Sequence, residues 1–183
     1  MRKVLVVVDY QKDFVDGSLG FNQSESISGA VYSLVARYVK GGDLVIFTKD
    51  THGENYLSTR EGKFLPVPHC IKGTEGHKLF GDLGVFEEEI YPNVIVLEKD
   101  VFGCEQLCTV IEEAFCGEPD LIEFCGVVTN ICVLSNVIIC NTHFKNAEIA
   151  VFDDATAAMG AAQNHSLEIM KGLGVTVKSE LTY

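Results

Sequence analysis

Val4, Leu5, Val6, Val7 and Val8 form an unbroken apolar run, and no other stretch constrains the fold as tightly. A strand with one wet face alternates apolar and polar side chains. A run without alternation has both faces covered, as in a parallel sheet between layers of helices. Strands are expected over 3–8, 44–48, 94–97, 121–125, 147–152 and 175–178. Helices are expected over 25–38, 105–115, 129–142 and 161–173, the last stopped by Gly172-Leu173-Gly174. Alternation at this spacing predicts an α/β chain, a doubly wound parallel β-sheet flanked by helices in three layers.

At 183 residues and 47% hydrophobic, the chain fits one domain spanning 1–183 with a substantial core. Gly41-Gly42 ends a helix, and no Pro/Ser-rich or low-complexity segment divides the sequence. Met1-Arg2-Lys3 enters a strand that soon meets Asp9, too short a run for a signal peptide or a membrane span, so a cytoplasmic protein is expected. The seven cysteines are odd in number and form no Cys-x-x-Cys pair, which argues for reduced thiols. A formal charge of -12 argues against nucleic acid and anionic membranes as partners. A neutral or weakly charged small molecule suits that field better, although acidity also serves solubility.

Chemistry gathers where strands end. The strand over 121–125 runs into Gly126-Val127-Val128-Thr129-Asn130-Ile131-Cys132-Val133, a turn into a helix. Gly126 permits the bend, Thr129 can cap the helix, and free N–H groups there can face an oxyanion. Cys132 would sit at the positive end of the helix dipole, a field that favours thiolate. Alternatively, it is a small core residue. Asp9 closes the first strand and Lys99 follows the third, and in open α/β sheets the carboxyl ends of strands line the ligand crevice. An acid to take the thiol proton, a cation and a nucleophile make a set for acyl transfer. Separately, Asp9 could cap a turn and Lys99 could be a solvated charge.

The segment 50–91 breaks the alternation. It is about 40 residues long, and loops of that length are usually functional. Asp50-Thr51-His52 at a strand end can point both side chains to one side, and His69 can close a site for a divalent metal such as zinc, iron or manganese. Glu61 is the nearest acidic candidate for a fourth ligand. Hydrogen bonding of these side chains to the loop itself is the other reading.

Five stretches together resemble the isochorismatase-like cysteine hydrolases, the superfamily that includes nicotinamidases and pyrazinamidases. They are Val8-Asp9-Tyr10-Gln11-Lys12-Asp13-Phe14, Asp50-Thr51-His52, Pro68-His69-Cys70-Ile71-Lys72-Gly73-Thr74-Glu75-Gly76, Lys99 with Phe102-Gly103, and 125–133 around Cys132. They run in the family's order from about 4 to 177. The resemblance implies an isochorismatase-like, Rossmann-like sandwich and hydrolysis of a small amide through a Cys132 thioester, with Asp9 as base and Lys99 beside it. It implies an oxyanion hole from the N–H groups of Val128 and Cys132, with a cis peptide between Val127 and Val128. It implies a divalent metal, zinc foremost, held by Asp50, His52 and His69 so that a pyridine nitrogen can coordinate it. Many members place another histidine between the two anchors, where this chain has Asn55, Tyr56 and Leu57, which leaves Glu61. Family members are often dimers or tetramers, so a homo-oligomer is expected.

Nicotinamide is the leading substrate by this resemblance. Another amidase or carbamoyl hydrolase of the superfamily would keep Asp9, Lys99 and Cys132 and use the insert to shape a pocket. A non-catalytic α/β binding protein is disfavoured because all three positions carry competent residues. An isochorismatase proper, which cleaves a vinyl ether without a thioester, is disfavoured by Cys132 and the metal-type residues. Phe14 and Phe102 each follow a catalytic candidate and would wall a pocket for a flat substrate, or else pack in the core. His77, His143 and His165 are expected as surface or capping residues, and Cys104 and Cys108 as packing residues.

Overall fold

Within residues 1–180, which the computed structural model describes, six strands form one sheet. They are β1 (Lys3–Val8), β2 (Leu44–Asp50), β3 (Val94–Lys99), β4 (Leu121–Val127), β5 (Glu148–Ala157) and β6 (Thr176–Lys178). All neighbours pair in parallel, in the order β3-β2-β1-β4-β5-β6. The winding therefore reverses between β1 and β4. Connections leaving the carboxyl ends of those two strands diverge to opposite faces, and a crevice opens between them.

Helices α1 (Lys12–Val15), α2 (Asn22–Ser26) and α3 (Ser28–Gly41) follow β1, and α4 (Arg60–Phe64) and α5 (Val85–Glu88) lie between β2 and β3. Helices α6 (Leu107–Phe115), α7 (Leu134–His143) and α8 (Ala162–Gly172) follow β3, β4 and β5. The unbroken run of β1 has its explanation here. Val4, Val6 and Val8 pack with Ile111, Val137 and Met170 on one face. Leu5 and Val7 pack with Val31, Leu34 and Val35 of α3 on the other. All five strand residues are wholly inaccessible, each such burial contributing roughly 1.5–3 kcal/mol.

The elements differ from the sequence expectation where tertiary contacts intervene. The helix expected over 25–38 is broken at Ile27 into α2 and α3. The helix expected over 129–142 opens as a π-helical turn, Thr129–Val133, before α7. β5 continues past 152 through Asp153 and Asp154, because its ladder with β4 shifts register between Phe124 and Gly126. β2 and β3 each run two residues beyond expectation, which sets Asp50 opposite Lys99. The insert carries α4, α5 and three short 3₁₀ turns, and isolated bridges fasten His52 to Ile71 and Gln11 to Leu79. No helix among the described residues is long and apolar enough to cross a membrane.

Candidate active site

The floor of the crevice is ionic. Asp9 follows β1 with φ of 46°, its N–H donating to the Thr48 carbonyl at 3.0 Å. Its Oδ1 accepts the Thr48 hydroxyl at 2.7 Å, and its Oδ2 lies 2.6 Å from Lys99 Nζ. The ammonium and the carboxylate form a charge-assisted contact, and the same carboxylate is also within hydrogen-bond reach of the Cys132 thiol. Complete burial lifts the Asp9 carboxyl above its ordinary value, against the pull of Lys99 and Thr48. Burial also works against the Lys99 charge, yet Asp9, Cys132 and Asp50 hold its ammonium above the ordinary range.

Cys132 reaches this floor because β4 presses close to β1. A Cβ at Gly126, where φ is 107°, would meet the Val8 carbonyl oxygen at 2.1 Å, so only glycine fits. The Val127–Val128 peptide is cis. Ile131 and Val133 N–H donate to the Val128 carbonyl, folding the turn around it. Asn136 then locks the turn, donating to the Cys132 carbonyl at 2.8 Å and accepting Cys104 N–H at 2.9 Å. Thr129 does not cap the helix; its hydroxyl donates to Gln163 at 2.7 Å. The expected thiolate is also corrected. Burial, reinforced by Asp9 and Asp50, pushes the Cys132 thiol well up despite Lys99, so the resting sulfur is protonated and requires a base.

At the other end, Asp50, His52, Glu61 and His69 bring four donor atoms within 4.8 Å of one another. Asp50 Oδ2 lies 3.0 Å from His52 Nε2 and 3.3 Å from His69 Nε2. Glu61 Oε1 stands 3.6 Å from each of those nitrogens. The Thr59 hydroxyl caps α4 by accepting Gly62 N–H, and a Cβ on Gly62 would meet the Tyr56 carbonyl oxygen at 2.1 Å. That close approach turns Glu61 inward. His69 Nδ1 pairs with the Val67 carbonyl at 2.8 Å, which turns Nε2 toward Asp50 and Glu61. Although burial opposes it, hydrogen bonds from both histidines and the Lys99 charge hold the Asp50 carboxyl below the usual range. Burial and Asp50 raise Glu61. Two imidazole nitrogens and two carboxylate oxygens suit zinc, iron or manganese.

Asp50 joins the two ends, since its Oδ1 is 3.4 Å from Lys99 Nζ. Above them lies a cavity of about 200 Å³, reached by Cys132, Val128, Asp50, Glu61 and His69 and walled by Phe14, Phe21, Phe102 and Met159. Phe14 packs edge-on against His69 with ring centroids 5.3 Å apart, while Phe102 is 37% exposed. Every site residue named from the sequence is thus in or beside one cavity.

Several neighbours were not legible as site residues. Gln11 is wholly buried, and its amide accepts Asp50 N–H at 2.7 Å and donates to the Asp50 and His77 carbonyls at 2.9 and 2.8 Å. It lies within Val8 to Phe14, one of the stretches that carry the family resemblance. Tyr56 sets its ring centroid within 4.9 Å of those of His52 and His69, tilted to the first and edge-on to the second. His77 is not at the surface: it is buried, with Thr51 Oγ1 at 2.8 Å and Lys49 Nζ at 3.4 Å. His143 and His165 are exposed, as expected.

The isochorismatase domain model matches residues 3–180. The chain belongs to the isochorismatase family. An isochorismatase family protein of Bacillus subtilis (strain 168), PncA, is 34% identical over 166 residues, covering 86% of this chain and 87% of that protein. The crystal structure of nicotinamidase PncA from Bacillus subtilis superposes with a TM-score of 0.87 at 26% identity, covering 98% of this chain and all of the other. A pyrazinamidase/nicotinamidase from Streptococcus mutans UA159 gives 0.85 at 30% identity, covering 96% and 99%. This isochorismatase-family chain is accordingly an enzyme, a hydrolase whose fold matches theirs along nearly its full length.

Proposed function

We propose that the chain hydrolyses a small aromatic carboxamide, nicotinamide first, to the carboxylate and ammonia through a thioester on Cys132. The Asp9–Lys99 pair, with Asp9 in hydrogen-bond contact with a protonated buried thiol, carries this reading. Asp9 takes the thiol proton as the sulfur attacks the carbonyl carbon, and Lys99 keeps the charge that moves between them from being isolated in the core. The N–H groups of Val128 and Cys132 receive the oxyanion. Asp9 passes its proton to the departing nitrogen, and ammonia leaves. A water deprotonated by Asp9 then cleaves the thioester, and the proton returns to sulfur. A divalent ion held by Asp50, His52, Glu61 and His69, zinc foremost, would supply a coordination point for the nitrogen of a heteroaromatic ring.

The apolar walls around Phe14 and Phe102 favour a flat neutral ring in the roughly 200 Å³ available. We read the full chain as one catalytic domain working in the cytoplasm as a homo-oligomer, and the seven free thiols support a reducing compartment. Replacing Cys132 by alanine tests the chemistry. Ammonia release from nicotinamide should fall at least ~1000-fold with the far-ultraviolet circular dichroism unchanged. A variant with near wild-type turnover would overturn thioester catalysis, whereas a wild-type enzyme inactive on nicotinamide yet active on a carbamoyl compound would redirect the substrate alone.

A further inference from the structure

Helices α6 and α7 meet through a pair of thiols, remote from any role assigned to the cavity. Cys108 on α6 and Cys140 on α7 place their sulfurs 3.9 Å apart, in hydrogen-bond contact. The two are not equivalent. Cys108 is 5% exposed and forms part of a surface groove with Ile138, Ile139, Thr142 and His143, whereas Cys140 is wholly inaccessible behind it. Their acidities diverge in the same sense. The contact with Cys140 and the nearby His143 hold the Cys108 thiol below its ordinary value against burial, while the same contact and burial push Cys140 up. A more acidic sulfur facing a groove, with a partner thiol at its back, is the arrangement of an attacking and a resolving cysteine.

We propose that Cys108 and Cys140 form an oxidation site that reacts with hydrogen peroxide to give a reversible disulfide between α6 and α7. The Cys108 thiolate attacks one peroxide oxygen, the O–O bond breaks, and sulfenic acid and hydroxide result. Hydroxide takes the Cys140 proton and leaves as water. The Cys140 sulfur then displaces hydroxide from the Cys108 sulfur, and the proton first lost by Cys108 completes a second water. Two thiols lose two electrons and the peroxide gains them. The sulfurs have to close from 3.9 Å to the ~2 Å of a disulfide. The bond would clamp α6 to the helix that continues from the Cys132 turn.

The test is a peptide map of the full chain, titrated with hydrogen peroxide, then unfolded in denaturant and alkylated without reduction. Two of the seven thiols should disappear with a mass loss of ~2 Da, the Cys108 and Cys140 peptides should run as one linked species, and dithiothreitol should restore both. In Cys140→Ala, Cys108 should stop as a sulfenic acid trapped by dimedone. In Cys108→Ala, Cys140 should stay alkylatable. Wild-type protein in which Cys132 is oxidised while Cys108 and Cys140 both remain alkylatable would overturn the proposal, as would linkage of either to Cys104. Because wild-type protein alone suffices and no hydrolysis is read, neither a misfolded variant nor a wrong substrate affects the outcome.

Discussion

The thiol end of the cavity and its ligand end are built from different kinds of backbone. Asp9, Lys99 and Cys132 stand at the ends of β1 and β3 and on the turn after β4, so ladder hydrogen bonds between parallel strands fix their spacing. His52, Glu61 and His69 stand on the insert, held by a capped turn, an isolated bridge and the ring of Tyr56. Asp50 belongs to both, with one oxygen toward Lys99 and the other toward the imidazoles. Bond making demands fixed geometry and is carried on the sheet. The end suited to an exchangeable ion is carried on loops, whose turns can adjust to it.

The sharpest way to break this division is at Lys99. Lys99→Met leaves the Asp9 and Asp50 carboxylates buried without their shared cation, so urea unfolding should show a loss of about 3–5 kcal/mol together with slowed acylation. A loss below ~1 kcal/mol would mean that the sheet end does not depend on the pair.

The ligand end should respond separately. Zinc affinity, read by competition with a chromophoric chelator, should fall about 100-fold for His69→Ala and about 10-fold for Glu61→Gln. Alkylation of Cys132 should change less than ~2-fold in either variant, since neither residue is its proton acceptor. Equal losses in alkylation and zinc affinity would erase the distinction between the two ends.

Thr48→Val should have the smallest effect. The Asp9 base exists only above its pKa, which burial lifts above 3.8, so kcat/KM should decline as pH falls through that raised value. The Thr48 hydroxyl stabilises the ionised carboxylate, and its removal should move the acid limb to higher pH by less than ~1 unit. A shift toward lower pH would exclude Asp9 as the group responsible.

What could be read from sequence follows the same division. Val4 to Val8 announced a strand covered on both faces, and Asp9, Lys99 and Cys132 were legible because strand ends in a parallel sheet share one edge. Asp50 and His52 were legible from spacing, and Glu61 only as the nearest acid. Its approach depends on how closely α4 sits on the turn at Tyr56, a tertiary contact with no local signature. The helix dipole argues for a Cys132 thiolate, but burial works against it, and its desolvation dominates. The sequence expectation for β5 ends at 152, since a register shift in the neighbouring ladder cannot be seen in one strand's composition.

The placement of Lys99 between Asp9 and Asp50 also sets a condition of charge balance. With Glu61, the connected cluster sets three carboxylates against the Lys99 ammonium, and, although burial opposes it, Asp50 and Glu61 raise the His69 imidazole toward its charged form. The upward shifts of Asp9 and Glu61 are the protein's partial answer, since each proton taken up removes one of those charges. A cation of charge two would take the place of those protons. Loading the ligand end should therefore release protons from the cluster, so the ionisation state of the base beside the sulfur is set in part from the far side of the cavity.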